Sequence, residues 1–410
     1  MFYKPENLDT MKINNETHPQ GYKMTELGVL PEEWEVVKFD SCIIKQNIKV
    51  EKIKKQEYKI YGRHPVIDQG QDLIAGYWDN EKDVYKKNLP VIIFGDHTRI
   101  IKYIDFPFVT GADGTKILVP NTSVAFPRFF YYSLLNLKIP SRGYNRHYSL
   151  LRESKIPLPP LDEQQKIAAV LSALQEAKEK TQEVIDATKA LKQSMMKHLF
   201  TYGPVSLKEA ENVPLKETEI GPMPEDWEVV KLGEIFSIFA GGDVSKINYS
   251  PIKIDKYIYP IYSNSKENNG LYGFSDTYNA QENSITITAR GNLGYAIPRY
   301  EKFNAIIRLL VLTPKNTLNI KFISEYINSE IIINLEGSSI PQLTVPKISM
   351  YMVPLPPLPV QQKIASILSA IDEKIEAEEN KKKALEELFK SLLHNLMTAK
   401  IRINQLELSS

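Results

Sequence analysis

Two long stretches of the chain place apolar or small residues at helical spacing without a single glycine or proline to interrupt them. The first runs from Leu161 to Tyr202 and stops at Gly203-Pro204, a helix terminator followed by a breaker. Within it Ile167, Leu174, Thr181, Thr188 and Met195, and in parallel Val170, Ala177, Val184 and Leu191, recur at heptad spacing, which predicts a coiled-coil seam. Asp162 and Glu163 fall in its first turn, where carboxylates suit the positive end of the helix. The second stretch, Val360 to about Ile403, carries Ile364, Ile367, Ile371 and Ile375 and then Leu385, Leu388, Leu392 and Leu396. Its charged middle, Glu378 to Lys383, reads as a solvated face. Helices of this size reach about 60 Å, and neither can bury its stripe alone. Pairing with each other is the simplest solution. Ile167, Leu171, Leu174, Val184, Leu191 and Met195 would then face Ile364, Ile367, Ile371, Leu385, Leu388 and Leu392 in an antiparallel coiled coil.

Before each long helix lies a region of different texture. Short β-rich strings, Pro90–Phe94, Phe106–Val109, Ser284–Thr288 and Ile306–Leu312, alternate with Gly/Asn/Asp turns. Each region closes with an apolar helical piece, Arg128–Leu137 and Ile320–Asn334. The fold class is therefore α+β. It comprises a mixed module over 1–156, a central helix over 157–203, a second module over 204–353 and a C-terminal helix over 354–410.

The chain is also written twice. Thr25-Glu-Leu-Gly-Val-Leu-Pro-Glu-Glu-Trp34-Glu-Val-Val-Lys returns as Thr218-Glu-Ile-Gly-Pro-Met-Pro-Glu-Asp-Trp227-Glu-Val-Val-Lys. Pro157-Leu-Pro-Pro-Leu-Asp-Glu-Gln-Gln-Lys-Ile-Ala returns as Pro354-Leu-Pro-Pro-Leu-Pro-Val-Gln-Gln-Lys-Ile-Ala. Between these blocks the modules resemble one another only faintly, the best correspondence being His64-Pro-Val-Ile with Tyr259-Pro-Ile-Tyr. A repeated framework around diverged contents is the organisation expected of a protein that recognises two different things, and it predicts halves related by a pseudo-twofold axis.

Composition removes several alternatives. One cysteine, Cys42, leaves no intrachain disulfide and no CxxC zinc site, and the six histidines lack metal-ligand spacing, so no metal is expected. The N-terminal MFYKPENLDT has no apolar signal region and no run approaches the ~18 apolar residues of a membrane span, which points to a cytoplasmic chain with no membrane partner. Net charge is only +1, divided as 23 − 19 = +4 over 1–156 and 14 − 17 = −3 over 204–353. Any affinity for nucleic acid must then come from local clusters or from a partner.

Catalytic patterns are absent. No Asn/Asp-Pro-Pro-Tyr/Phe segment of an amino-group methyltransferase occurs, and Gly111-Ala-Asp-Gly-Thr-Lys116 has the wrong spacing for a phosphate loop. No histidine stands at motif spacing from a nucleophile, so no catalytic residue is assigned. Binding chemistry is better represented, since Arg, Asn, Gln and Lys are the residues that read base edges. The first module concentrates them as Arg63, His64, Gln69, His97, Arg99, Lys116, Arg142, Asn145 and Arg146. The second has Asn264, Lys266, Asn268, Arg290, Asn292 and Gln342. These are the candidate DNA-binding residues. A non-catalytic coiled-coil adaptor with two protein- or glycan-binding heads is the rival reading, separable by whether the chain retains DNA selectively.

The doubled Pro-Leu-Pro-Pro-Leu-x2-Gln-Gln-Lys-Ile-Ala block and the doubled Thr-Glu-x-Gly-x2-Pro-x2-Trp block resemble the specificity subunits of type I restriction-modification systems, over almost the whole chain. The resemblance implies two target recognition domains, each followed by a framework helix. The antiparallel helices serve as a ruler that fixes the spacer of a bipartite DNA site. It also implies double-stranded DNA, two modification (methyltransferase) subunits and restriction (translocase/nuclease) subunits as partners. No cofactor would be the chain's own, because S-adenosylmethionine, ATP and Mg belong to those partner subunits. One departure is visible, Pro359-Val360 standing where the first copy has Asp162-Glu163.

Overall fold

A computed structural model describes residues 18–46, 48, 50–141, 143, 145–243, 248–291, 293–333 and 342–403. Its helices are α1 (Pro127–Asn136), α2 (Tyr148–Glu153), α3 (Leu161–Tyr202), α4 (Leu207–Ala210), α5 (Leu232–Ile235), α6 (Ile320–Glu330), α7 (Val345–Ser349) and α8 (Leu358–Met397). The breaker-free runs are thus continuous helices of 42 and 40 residues, about 60 Å each.

The chain divides into two compact units, Met1–Lys180 with Lys382–Ser410, and Thr181–Lys381. Each unit therefore owns one half of each long helix. In the first, Trp34, Phe39, Phe129, Phe130 and Tyr132 pack with Ile167, Ala168 and Leu171 of α3 and Leu393, Leu396 and Met397 of α8. In the second, Trp227, Phe236, Phe322 and Ile323 pack with Met196, Leu199 and Phe200 of α3 and Ile364, Ala365 and Leu368 of α8. The start of one helix meets the end of the other in both, so the segments run antiparallel within each unit. Lys189 to Glu379 at 2.6 Å and Lys192 to Asp372 at 2.7 Å repeat that sense in the second unit.

Three residues expected on the pairing face are not there: Val184, Leu191 and Leu388 are exposed. A straight helix drifts about 20° per heptad against a strict seven-residue repeat. The Val170–Leu191 series accordingly rotates into solvent, while Ile185 and Thr181 take the buried positions. In α8 the half-buried Phe389 supersedes Leu388.

Both modules are mixed β and α. The first holds a sheet ordered Lys52–Ile53, Phe108–Gly111, His64–Ile67, Gly76–Trp78, with Val84–Tyr85 also on Phe108–Gly111. An antiparallel sheet ordered Thr115–Leu118, Val91–Gly95, Ile101–Ile104 accompanies it. The second module has one sheet ordered Phe236–Ala240, Leu310–Pro314, Ser284–Ile287, Ala296–Arg299 and another ordered Tyr249–Ser250, Leu271–Ser275, Tyr259–Tyr262, Asn304–Ala305. The string Ile306–Leu312, read as one strand, is divided. Ile307 and Arg308 adopt left-handed backbone at φ 52° and 59° in a turn, and the strand begins at Leu310.

The repeated blocks are scaffolding. Thr25 and Thr218 each donate a hydroxyl to the carbonyl of a glycine three residues on, Gly28 and Gly221, at 2.7 Å. Both glycines need positive φ, 104° and 102°, to close that turn. Gln164 accepts from the Phe126 amide at 2.8 Å at the entrance to α1 and donates to the Pro159 carbonyl at 2.9 Å. Gln361 does the same for the Asn319 amide before α6 and the Pro356 carbonyl, both at 2.8 Å. In each unit one glutamine amide thus ties the module's helix to the Pro-Pro turn.

Candidate nucleic-acid interface

In the first unit the candidate side chains gather where three strand ends meet. Asp96, following Val91–Gly95, is buried, and its carboxylate accepts the amides of His147 at 2.9 Å and Tyr148 at 2.8 Å. It therefore anchors the start of α2 and holds the exposed Asn145 and Arg146 just ahead of it. Lys116 lies 3.9 Å from the same carboxylate and 5.5 Å over the Tyr148 ring. Lys52 donates to the Thr115 carbonyl at 3.1 Å. Desolvation lowers its pKa, and the nearby cations Lys116 and Arg146 act in the same direction against Asp113 and Asp96. Three positive side chains that repel one another, beside an Asp96 carboxylate already engaged by two amides, make a place where an added anion is stabilised. Lys52 was not singled out from sequence, where it is one of several lysines in a charged stretch.

Other candidates of this unit are placed differently. Arg63 and His64 stand at the opposite end of the strand His64–Ile67 from Gln69. His64 pairs with Glu81 at 3.0 Å, and the Arg63 amide donates to Asp79 at 3.0 Å. Arg99, at φ 63°, donates to the Ile139 carbonyl at 2.8 Å. The Gln69 side chain is engaged by the loops of His97 and Asp113. The structure thus joins Gln69, His97, Lys116, Asn145 and Arg146 in one loop cluster and leaves Arg63 and His64 apart from it. Arg142 lies outside the described residues.

The second unit has a corresponding cluster with other contents. Lys266 covers the Tyr295 ring at 4.8 Å, and Arg290 donates to Gln342 at 3.3 Å. Asn268 and its neighbour Asn269 adopt left-handed backbone, and Asn264 is engaged by loop backbone on two sides. Arg299 is buried. Its guanidinium stacks 3.5 Å over Tyr262 and donates to Thr286 at 3.0 Å and to the Asn269 carbonyl at 2.6 Å, so it shapes the Asn268 turn from beneath. Arg308 is an exposed cation of the same cluster, hidden in sequence within the string read as strand. Asn292 lies outside the described residues.

Among the described residues no group of His, Cys, Asp and Glu side chains could hold a metal ion, and no helix is long and apolar enough to cross a membrane. Burial pushes the Cys42 thiol up to about 12, so it stays protonated at neutral pH.

The family model described as "Type I restriction modification DNA specificity domain" matches residues 31–187 and again 224–387. A protein of Methanocaldococcus jannaschii assigned as the type I restriction enzyme MjaX specificity subunit is 28% identical, covering 98% of each chain. The EcoR124I/EcoR124II specificity subunit of Escherichia coli is 24% identical over 78% of this chain and 82% of its own. Among solved structures, the crystal structure of a type I restriction-modification S subunit from M. genitalium superposes with a TM-score of 0.62 at 19% identity, covering 94% of this chain and 98% of that one.

Proposed function

The chain belongs to the type I restriction-modification DNA specificity family, whose domain it carries twice, and on that premise we propose that each unit reads one part of a divided DNA target. The observation that carries this reading is the contrast within each unit, a closely repeated framework holding a loop cluster whose side chains differ from those of its counterpart. Lys52, Lys116 and Arg146 would meet phosphates on one half-site, and Lys266, Arg290 and Arg308 on the other. Exposed loop amides such as Asn145 and Asn268 suit base edges. The small net charge accords with an S subunit that shares the DNA with other subunits.

The chain itself would carry out no chemistry. Two modification subunits would supply S-adenosylmethionine-dependent methylation, and restriction subunits would bring ATP, Mg and cleavage, all in the cytoplasm beside the DNA. One solved relative, with a TM-score of 0.51, is titled for complex assembly and conformational transition of the type I R-M system, which supports such partners. The continuous helices α3 and α8 are suited to setting the spacer, because whole turns added to both change a length without changing a loop.

The test is to express the chain with its modification subunit and map methylated adenines. A two-part word with a fixed gap is expected, and a single uninterrupted word would overturn the reading. Whole-turn insertions in both helices should lengthen the gap and leave both half-words alone. Replacing Lys52, Lys116 and Arg146 together by alanine should reduce the logarithmic salt dependence of DNA binding by about three units if all three meet phosphates.

A further inference from the structure

In each module a side-chain amide fastens three loops at once, and the two amides sit at corresponding positions. In the first, Gln69 follows the strand His64–Ile67. Its Oε1 accepts the His97 amide at 3.1 Å, from the loop after Val91–Gly95, and its Nε2 donates to the Asp113 carbonyl at 2.8 Å, from the loop after Phe108–Gly111. In the second, Asn264 follows the strand Tyr259–Tyr262. Its Oδ1 accepts the Ala289 amide at 2.7 Å, from the loop after Ser284–Ile287, and its Nδ2 donates to the Ile307 carbonyl at 2.5 Å, from the loop after Asn304–Ala305. The alignment of His64-Pro-Val-Ile with Tyr259-Pro-Ile-Tyr brings Gln69 opposite Asn264.

The surroundings of the first clasp are close-fitting. A Cβ at Gly114, whose φ is 85°, would come within 2.7 Å of Gln69 Oε1 and 2.8 Å of the His97 ring. The Thr98 hydroxyl adds a second link by donating to the Gln69 carbonyl at 2.7 Å. One partner of each amide is an N–H and the other a C=O, so only an uncharged amide, with one acceptor and one donor, satisfies both. A carboxylate keeps the acceptor and loses the donor.

We infer that Gln69 and Asn264 are matched positioning residues: each locks three loops of its own module into the one arrangement that recognises a half-site, and neither reads a base itself. The loops they hold carry His97 and lead into the strand of Lys116 in the first unit, and carry Arg290 and Arg308 in the second. The inference rests on the proposed reading that these loops face DNA. It adds that the scaffold extends past the repeated blocks into the diverged modules, where the clasp persists although almost nothing else in the loops does.

The test uses the full chain in complex with its modification subunit and the near-isosteric variants Gln69→Glu and Asn264→Asp, with two readouts: amide exchange of the three loops, and the methylated word. The expected result for Gln69→Glu is exchange at least tenfold faster around His97 and Asp113, with discrimination lost together at several bases of one half-word and the other half-word unchanged. Asn264→Asp should do the converse, with faster exchange around Ala289 and Ile307. A change confined to one base, with exchange unaltered, would make these residues base readers and overturn the inference. Unaltered exchange with an unaltered word would overturn it too, since the clasp would then hold nothing. Loosened loops with an unaltered word would instead refute the reading that these loops face DNA. Should a carboxylate prevent folding, Gln69→Asn and Asn264→Gln retain both hydrogen-bonding groups at altered reach, and they must show the same grouped loss for the inference to stand.

Discussion

The two units meet their long helices through the same backbone arrangement and opposite chemistry. In the second unit Lys192 of α3, Lys321 and Glu325 of α6 and Asp372 of α8 close a four-membered ring of charge, with contacts of 2.9, 2.7, 2.5 and 2.7 Å. At the offset that relates Gln164 to Gln361, Lys192 corresponds to Phe389. At the offset that relates Phe126 to Asn319, Lys321 and Glu325 correspond to Arg128 and Tyr132. The first unit therefore fills this junction with aromatics: Tyr132 meets Phe389 edge-on at 6.0 Å and Tyr131 at 5.1 Å, and Arg128 stacks 3.8 Å over Tyr103. At the next junction the assignment reverses. In the first unit Arg402 binds Glu163 at 3.0 Å and Glu33 at 2.6 Å, and Glu163 accepts the Trp34 indole at 2.9 Å. The counterparts of Glu163 and Arg402 in the second unit are the half-buried Val360 and Val205. The lesson is that duplication preserved geometry while each unit acquired its own code. An aromatic surface leaves charges unpaired and a charged ring leaves aromatics unmatched, so each module is matched to its own stretch of helix.

This contrast can be broken from either side. The largest effect is expected from Tyr132→Ala, which empties a fully buried aromatic site and should cost about 3–5 kcal/mol. Amide exchange should rise in α1 and stay unchanged in α6, equally at low and high salt. Next comes Glu325→Gln, which leaves Lys192 and Lys321 sharing the Asp372 carboxylate. Because the ring is only partly shielded from water, about 2 kcal/mol is expected, read as faster exchange in α6. Acid gives a smaller and graded effect. Burial raises the pKa of Asp372, but hydrogen bonds from Lys192 and Lys321 outweigh it and the net shift is downward. A depressed carboxylate contributes stability that is present above its unfolded pKa and lost as pH falls through the folded one, so the α6 junction should loosen below about pH 4. Glu33 and Asp40 are lowered as well, so the comparison must be made at α1 and α6 and not over whole units. Smallest, 1 M salt should weaken the ring by about 1 kcal/mol or less and leave the aromatic junction untouched. Equal salt sensitivity at α1 and α6 would show that the two junctions do not differ in kind.

Much of the architecture was legible from sequence because it is local or repeated. Freedom from Gly and Pro marked α3 from Leu161 to Tyr202 to the residue, and the doubled Trp34 and Trp227 blocks marked the scaffold. The misreadings have physical causes. Val184 and Leu191 satisfied a seven-residue period that a straight helix does not keep, and Leu388 belonged to an apolar series on α8 in which Phe389 takes the half-buried place. Glu163, read as a favourable charge at a helix start, is chiefly the partner of Trp34 and Arg402, which no local pattern announces. The candidate interface was legible as composition and not as arrangement. Gln69 and Asn264 were of the right type, but their three-loop engagement depends on contacts between segments far apart in sequence. Lys52 and Arg308 lacked any signal until the folded loops set them beside Lys116 and Asn264.

The order in which a ribosome releases the chain interacts with the way the units are assembled from it. The second unit is one uninterrupted segment, Thr181–Lys381, and is complete as soon as that segment has emerged. The first needs Leu393, Leu396 and Met397 to fill its core and Arg402 to neutralise Glu163, so it must wait on residues made more than two hundred positions after Lys180. At about 5–20 residues per second that delay is of order ten seconds or more. Of the two units, the one whose synthesis begins first is thus the one that finishes folding last, and a message interrupted between Lys381 and Leu393 would spoil that unit while sparing the other.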